Sequence, residues 1–157
     1  MKVWLLWIAL AMIGLTACER GDTEPNPPAI RYGEDLCAEC NMIINDPRYA
    51  AGYAYEIGPG RYESLAFDDI GDLLANMAQH RERTAVAWYV HDYTSEGWLD
   101  ATTAYYVVSE QIHTPMGHGI AAHATQSAAD AMALERQGRI LDWDTLVMQA
   151  DAGTLHD

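Results

Sequence analysis

A hairpin signal followed directly by a helix signal, between Ala50 and His80, is the strongest constraint on what this chain can fold into. Ala50 to Glu56 and Tyr62 to Phe67 are aromatic-rich runs split by Ile57-Gly58-Pro59-Gly60. Glycine there supplies backbone freedom and proline rigidity, the two properties a strand-to-strand turn needs. Asp68 then reads as a helix N-cap, and Ile70, Leu73, Leu74 and Met77 form an i, i+3, i+4, i+7 apolar stripe ending near His80. Met77 lies on that stripe and reads as core.

The pattern recurs. Thr84 to Tyr93 reads as a strand turned by Thr94-Ser95-Glu96-Gly97, and Tyr105 to Val108 and Gly119 to Ala124 read as further strands. A helix is expected to begin near Ser127, whose i+3 neighbour Asp130 gives a capping-box signal, with Ala128, Ala131 and Met132 facing inward. A terminal helix capped by Asp142 presents Trp143, Leu146, Val147 and Ala150 at helical spacing. Met132 and Met148 read as ordinary packing or surface residues. The expected fold is α+β: two tandem ββα-type units with mainly antiparallel strands, at 34–82 and 83–157, plus a C-terminal helix. Two such units bury sheet faces that neither could bury alone.

The first 33 residues stand apart. Lys2 precedes an apolar run from Val3 to Leu15 that is too short to span a bilayer and fits an export signal over 1–17. Leu15-Thr16-Ala17-Cys18 resembles the bacterial lipoprotein cleavage box, which makes Cys18 the lipidated N-terminus of the mature chain. Residues 18–33 carry Pro25, Pro27, Pro28, Asp22 and Asn26 with little apolar content and read as a flexible tether. Loss of the signal removes the only lysine and leaves eight arginines against 23 acidic residues, a net charge of −15. Nucleic-acid binding is thereby disfavoured, and the acidity reads as solubility.

The chemistry is in the sulfur. Cys37-Ala38-Glu39-Cys40-Asn41-Met42 puts two thiols and a thioether within six residues, and Met116 sits downstream in Thr114-Pro115-Met116-Gly117-His118-Gly119. Soft thiolate and thioether donors match Cu(I), whereas Zn²⁺ rarely takes Met. If residues 40–42 are extended, Cys40 and Met42 project from one face. Met116, between Pro115 and Gly117, reads as part of a shaped loop that closes the site from the second unit. His118 and His123 are candidate auxiliary donors. Other readings compete. Cys37 and Cys40 could pair as a disulfide in an oxidising compartment, or serve a thiol-disulfide protein, although neither stands in a helix N-terminal context. Structural zinc would need two of His91, His113, His118 and His123, none in a recognised spacing. Asn41 rules out a C-x-x-C-H haem site, and no catalytic arrangement of side chains stands out.

The lipoprotein box, Cys37-Ala38-Glu39-Cys40-Asn41-Met42, Trp88-Tyr89-Val90-His91-Asp92-Tyr93, Trp98-Leu99-Asp100-Ala101 with Ala104-Tyr105-Tyr106-Val107, and Pro115-Met116-Gly117-His118-Gly119-Ile120 together resemble the NosL family. That family comprises copper chaperones of nitrous oxide reductase assembly. The resemblance implies a periplasmic, membrane-anchored, non-enzymatic protein of two related ββα units, a fold also similar to part of organomercurial lyase. It implies Cu(I) held by Cys40, Met42 and Met116, with Cys37 as a further candidate, and delivery to the copper-sulfur centre of apo-nitrous oxide reductase through a membrane ABC-type complex. The family often has Gly where this chain has Asn41, a change that alters the turn and removes no donor.

Overall fold

The computed structural model describes residues 21–156; the expected signal segment and Cys18 lie outside the described residues. Strands β1 (Ala51–Gly58) and β2 (Arg61–Phe67) form the expected hairpin, with Gly60 at φ 65° in the two-residue turn. Helix α1 follows over Ile70–Gln79, and its cap is Asp69, not Asp68. Capping requires the extended residue immediately before the helix, and the Asp69 carboxylate accepts from the Gly71 amide there. Asp68 is turned elsewhere. The α1 stripe Ile70, Leu73 and Leu74 is buried with Tyr53 and Phe67, whose rings stack at 5.7 Å, and Met77 packs on the same core.

Strand β3 (Ala85–His91) returns beside β1, and β4 (Trp98–Asp100) adds to β3, giving an antiparallel sheet of order β2-β1-β3-β4. The chain then repeats the motif. Strands β5 (Tyr105–Val108) and β6 (Ile120–His123) make a hairpin, helix α2 (Gln126–Arg136) follows, and β7 (Arg139–Leu141) returns beside β5 in a sheet of order β6-β5-β7. In both units the strand after the helix covers the open edge of the first hairpin strand, where unpaired backbone groups would otherwise remain. Thus β3, which a division at 82/83 places in the second unit, hydrogen-bonds into the first sheet.

Helix α2 is capped by Thr125, which accepts from the Ala128 amide, so Ser127 lies inside the first turn. That shift rotates the buried face: Ala129 is buried with Met132 and Ala133 packed beside it, and Ala131 is exposed. Helix α3 (Trp143–Ala152) is capped by Asp142 as its sequence indicates. It joins the units, since Trp143 meets both Trp88 of the first sheet and Tyr106 of the second, at 6.1 and 5.9 Å. Among the described residues a parallel bridge, Asp92 to Ala122, links the two sheets directly.

The segment expected as a free tether differs from that expectation over most of its described length. Asp22 pairs with Tyr62, Ser64 donates to the Asn26 carbonyl, Tyr89 donates to the Pro25 carbonyl, and Pro28 is buried. Pro28 lies so close to Gly52 that a Cβ there would fall 2.5 Å from the proline ring. A small residue on β1 lets this segment lie flat as a strap across the sheet.

Packing sets one clear expectation. Leu73→Ala, at a fully buried position, should destabilise the fold by about 2–5 kcal/mol, whereas Leu134→Ala, on an α2 side chain 86% exposed, should leave the denaturation midpoint unchanged in urea titrations of the two variants.

Candidate metal centre

The cysteine motif forms a tight turn, not the extended run over 40–42 that would put Cys40 and Met42 on one face. Leu36 and Ile43 form an antiparallel bridge, the Cys37 amide donates to the Met42 carbonyl, and the Asn41 amide donates to the Cys37 carbonyl. Closing that loop forces Asn41 to φ 61°, in the left-handed region. Asn tolerates this conformation better than other side-chain-bearing residues, and Gly adopts it freely. The loop is fastened on both flanks. The Ala38 amide donates to the Ala66 carbonyl of β2, while Glu39 accepts from Asn76 at 2.8 Å and Gln79 at 2.6 Å on α1.

Held this way, Cys37 is 2% exposed and Cys40 half-buried, and both are free thiols. They face the start of α1. Cys37 Sγ lies 3.4 Å from Asp72 Oδ2 and Cys40 Sγ lies 3.5 Å from Asp68 Oδ1. One ligand atom from each of these four residues falls within 4.8 Å of all the others, the spacing of a shared cation. Each thiol therefore meets both carboxylates.

Burial pushes the Cys37 thiol up, only partly offset by the backbone N–H groups of Cys40, Asp68 and Glu39. Cys40 is pushed well up, first by burial and then by the Asp72 carboxylate and Cys37, against the Met42 N–H. Both sulfurs are consequently protonated at neutral pH in the metal-free protein. A cation must displace those protons, and its charge then neutralises an otherwise repulsive group of donors.

The Met116 loop converges on the same helix terminus. Asp69 Oδ2 accepts from the Met116 amide at 3.0 Å and from the Thr114 hydroxyl. His118 Nε2 lies 3.2 Å from Asp72 Oδ1, so Asp72 bridges the imidazole and the Cys37 thiol. The His118 ring packs directly on the helix backbone, where a Cβ at Gly71 would fall 2.0 Å from it. Met42 and Met116 stay exposed at 54% and 37%, on the two loops that border the cluster.

The structure thus brings Cys37, Cys40 and His118 to one carboxylate pair and puts Met116 on the neighbouring loop. His123 is placed elsewhere: it is buried against Tyr93, with Nε2 3.3 Å from Met132 Sδ. His91 is committed to the Ala50 carbonyl and the Tyr32 hydroxyl, and His113 borders a cavity with Tyr49 and Met132. Sequence reasoning missed Asp68, Asp72 and Glu39. The signal was available in Asp68-Asp69-Ile70-Gly71-Asp72, because only one of three acidic residues at a helix start can serve as its cap.

Comparison with known proteins bears on the chain as a whole. The NosL family model matches residues 30–150. The chain belongs to the NosL family. It is 31% identical over 166 residues to the copper-binding lipoprotein NosL of Stutzerimonas stutzeri, covering 97% of this chain and 85% of that protein. The crystal structure of the copper chaperone NosL from Shewanella denitrificans superposes with a TM-score of 0.62 at 22% identity, over 74% of this chain and 92% of that one, so the two share their fold. The α+β architecture with antiparallel sheets and a C-terminal helix is common to this NosL chain and that structure.

Two outcomes follow from the geometry. Asn41→Gly should retain full stability, while Asn41→Val should lose about 1–2 kcal/mol by placing a β-branched residue in the left-handed region, read as the shift in thermal midpoint. Because each thiol enters the site by losing a proton, metal affinity should fall as pH drops from 8 to 6.5. The slope counts thiolates: about tenfold per pH unit for one and about one hundredfold for two, measured by competition titration across that range.

Proposed function

We propose that this protein is a Cu(I) chaperone, anchored by Cys18 to the periplasmic side of a bacterial membrane, that supplies copper for the copper-sulfur centre of nitrous oxide reductase. The observation that carries the reading is the pairing of a buried thiol cluster with exposed thioethers at its border. Cys37 and Cys40 lie over the Asp68–Asp72 pair, and Met42 and Met116 are solvent-accessible on the adjoining loops. Support also comes from the names of the relatives, a copper-binding lipoprotein and a copper chaperone. No helix among the described residues is long and apolar enough to cross a membrane, which is compatible with attachment through lipid on Cys18.

Copper is the cargo here. Cys40 supplies the anionic sulfur, with Met42 and Met116 as the thioether ligands and Cys37 as the second thiolate. His118 orients the cluster through Asp72. Thioethers that are already wet can release the ion one ligand at a time, so an incoming thiolate or thioether of the acceptor can replace each in turn. Delivery passes through the membrane ABC-type complex to the apo-reductase, and the protein catalyses no reaction of its own.

A second reading rests on the same cluster. Two thiolates and two carboxylates suit Zn²⁺ without any methionine, in a four-ligand arrangement that does not need the scattered histidines. Metal analysis of anaerobically purified protein separates the two. For Cu(I), Cys40→Ser should weaken binding by orders of magnitude, and Met42→Leu and Met116→Leu, which keep side-chain volume, should each weaken it less. Zinc in the purified protein that Cys40→Ser loses and both Met→Leu variants keep, with equal Cu(I) affinity in all three, would favour the second reading. In cells, deletion of the gene should leave nitrous oxide reductase present but deficient in its copper-sulfur centre at limiting copper, restored by the wild-type gene and not by Met116→Leu.

A further inference from the structure

The first unit has two poles. At one, β2 ends at Phe67, α1 begins, and the cluster of Cys37, Cys40, Asp68 and Asp72 sits beside the Met116 loop. At the other, the β1–β2 turn meets the loop that follows α1, through the Glu56 amide and the Thr84 carbonyl at 3.1 Å. The N-terminal strap is fastened at this second pole. Asp22 exchanges two backbone hydrogen bonds of 2.9 Å with Tyr62, near the start of β2.

Only four residue steps separate Cys18 from Asp22, a span of at most about 14 Å for a fully extended chain. Asp68 lies six residues beyond Tyr62 along β2, about 20 Å away at the rise of a strand. We propose that the β1–β2 turn and the Arg81–Thr84 loop form the membrane-facing surface of the protein, and that the strap holds the metal cluster on the opposite pole, pointing away from the bilayer. This rests on Cys18 being the lipid anchor.

The chemistry of the pole suits a phospholipid headgroup surface. Ile57 is exposed there, with Pro59 and Gly60 at the tip. Arg61, Arg81 and Arg83 bring three of the chain's eight arginines to this end, beside Glu56 and Glu82, with Arg81 paired to Asp151 at 3.1 Å. Asp22 and Asp151 add to the acids here, and Arg83 turns inward to Tyr53 and Asn76. Yet in a chain of net charge −15, a pole whose arginines offset most of its acids is repelled by an anionic surface less than one that gathers Asp68, Asp69 and Asp72. The strap is built to resist peeling. Pro28 is buried over Gly52, Asn26 and Pro25 are hydrogen-bonded to Ser64 and Tyr89, and proline at positions 25, 27 and 28 limits the entropy gained by release. Copper is thereby presented to partners that reach out from the membrane, not to groups lying at its surface.

The test uses the mature lipoprotein purified with its anchor, in nanodiscs containing a gadolinium-chelate headgroup lipid, with paramagnetic relaxation of backbone amides read by NMR. Enhancement at residues 57–61 and 81–84 should exceed that at 68–72 and 116–118 several-fold. Uniform or reversed enhancement overturns the orientation while leaving the copper reading intact. A mature mass without lipid on Cys18 removes the anchor and with it the orientation, an outcome distinguished by mass spectrometry before any relaxation is measured. Inserting about ten Gly/Ser residues between Arg20 and Gly21 lengthens the leash and should abolish the contrast; persistence of the contrast overturns the strap as its cause.

Discussion

The first turn of α1 is the point on which the site depends. Three carboxylates within five residues gather at the positive end of a helix dipole, which offsets part of their mutual repulsion. Their roles divide. Asp69 caps the helix and takes the Met116 amide and Thr114 hydroxyl, so one side chain both starts α1 and fastens the second unit's loop to it. Asp68 and Asp72 face the thiols, and Asp72 also takes His118. Loops distant in sequence meet because a single helix terminus offers acceptors to both.

The internal repeat shows which of these groups the fold itself requires. The two hairpin-helix junctions correspond residue for residue: Phe67, Asp69 and Ile70 match His123, Thr125 and Gln126, and Asp69 and Thr125 are both N-caps. In that correspondence Asp68 and Asp72 fall on Ala124 and Ala128. A cap is needed to satisfy the first-turn amides of either helix, and the other two acids are not. Their presence in one unit alone ties them to the thiols. His123 stands where the first unit has Phe67, which accounts for its burial among Tyr93 and Met132.

Rigidity and exposure fall on different side chains. Glu39, Ala38 and the left-handed Asn41 fix the thiol-bearing turn before any ion arrives, which lowers the ordering cost of binding. Methionine is flexible and soft, and Met42 and Met116 remain exposed. In the proposed function, a rigid pair of thiol ligands bordered by adaptable thioethers would retain an ion and still let it leave.

Short-range signals in the sequence determined most of the elements and the sulfur chemistry. Gly-Pro-Gly between aromatic runs, the Ile70-to-Met77 stripe, the Asp142 cap and the softness of Cys and Met donors act within a few residues or within one side chain, so they are legible without coordinates. The features that only the tertiary structure decided are contacts between distant segments. That Asp68 and Asp72 face thiols is decided by where the cysteine turn lies, and β3 joins the first sheet because β1 has an edge to fill. The proline-rich segment at 25–28 looks like a free tether by composition. It becomes a strap because Gly52, on the β1 face over which it runs, leaves room for Pro28. Composition describes how a segment behaves in water; whether it stays there is settled by the surface that the rest of the chain presents to it.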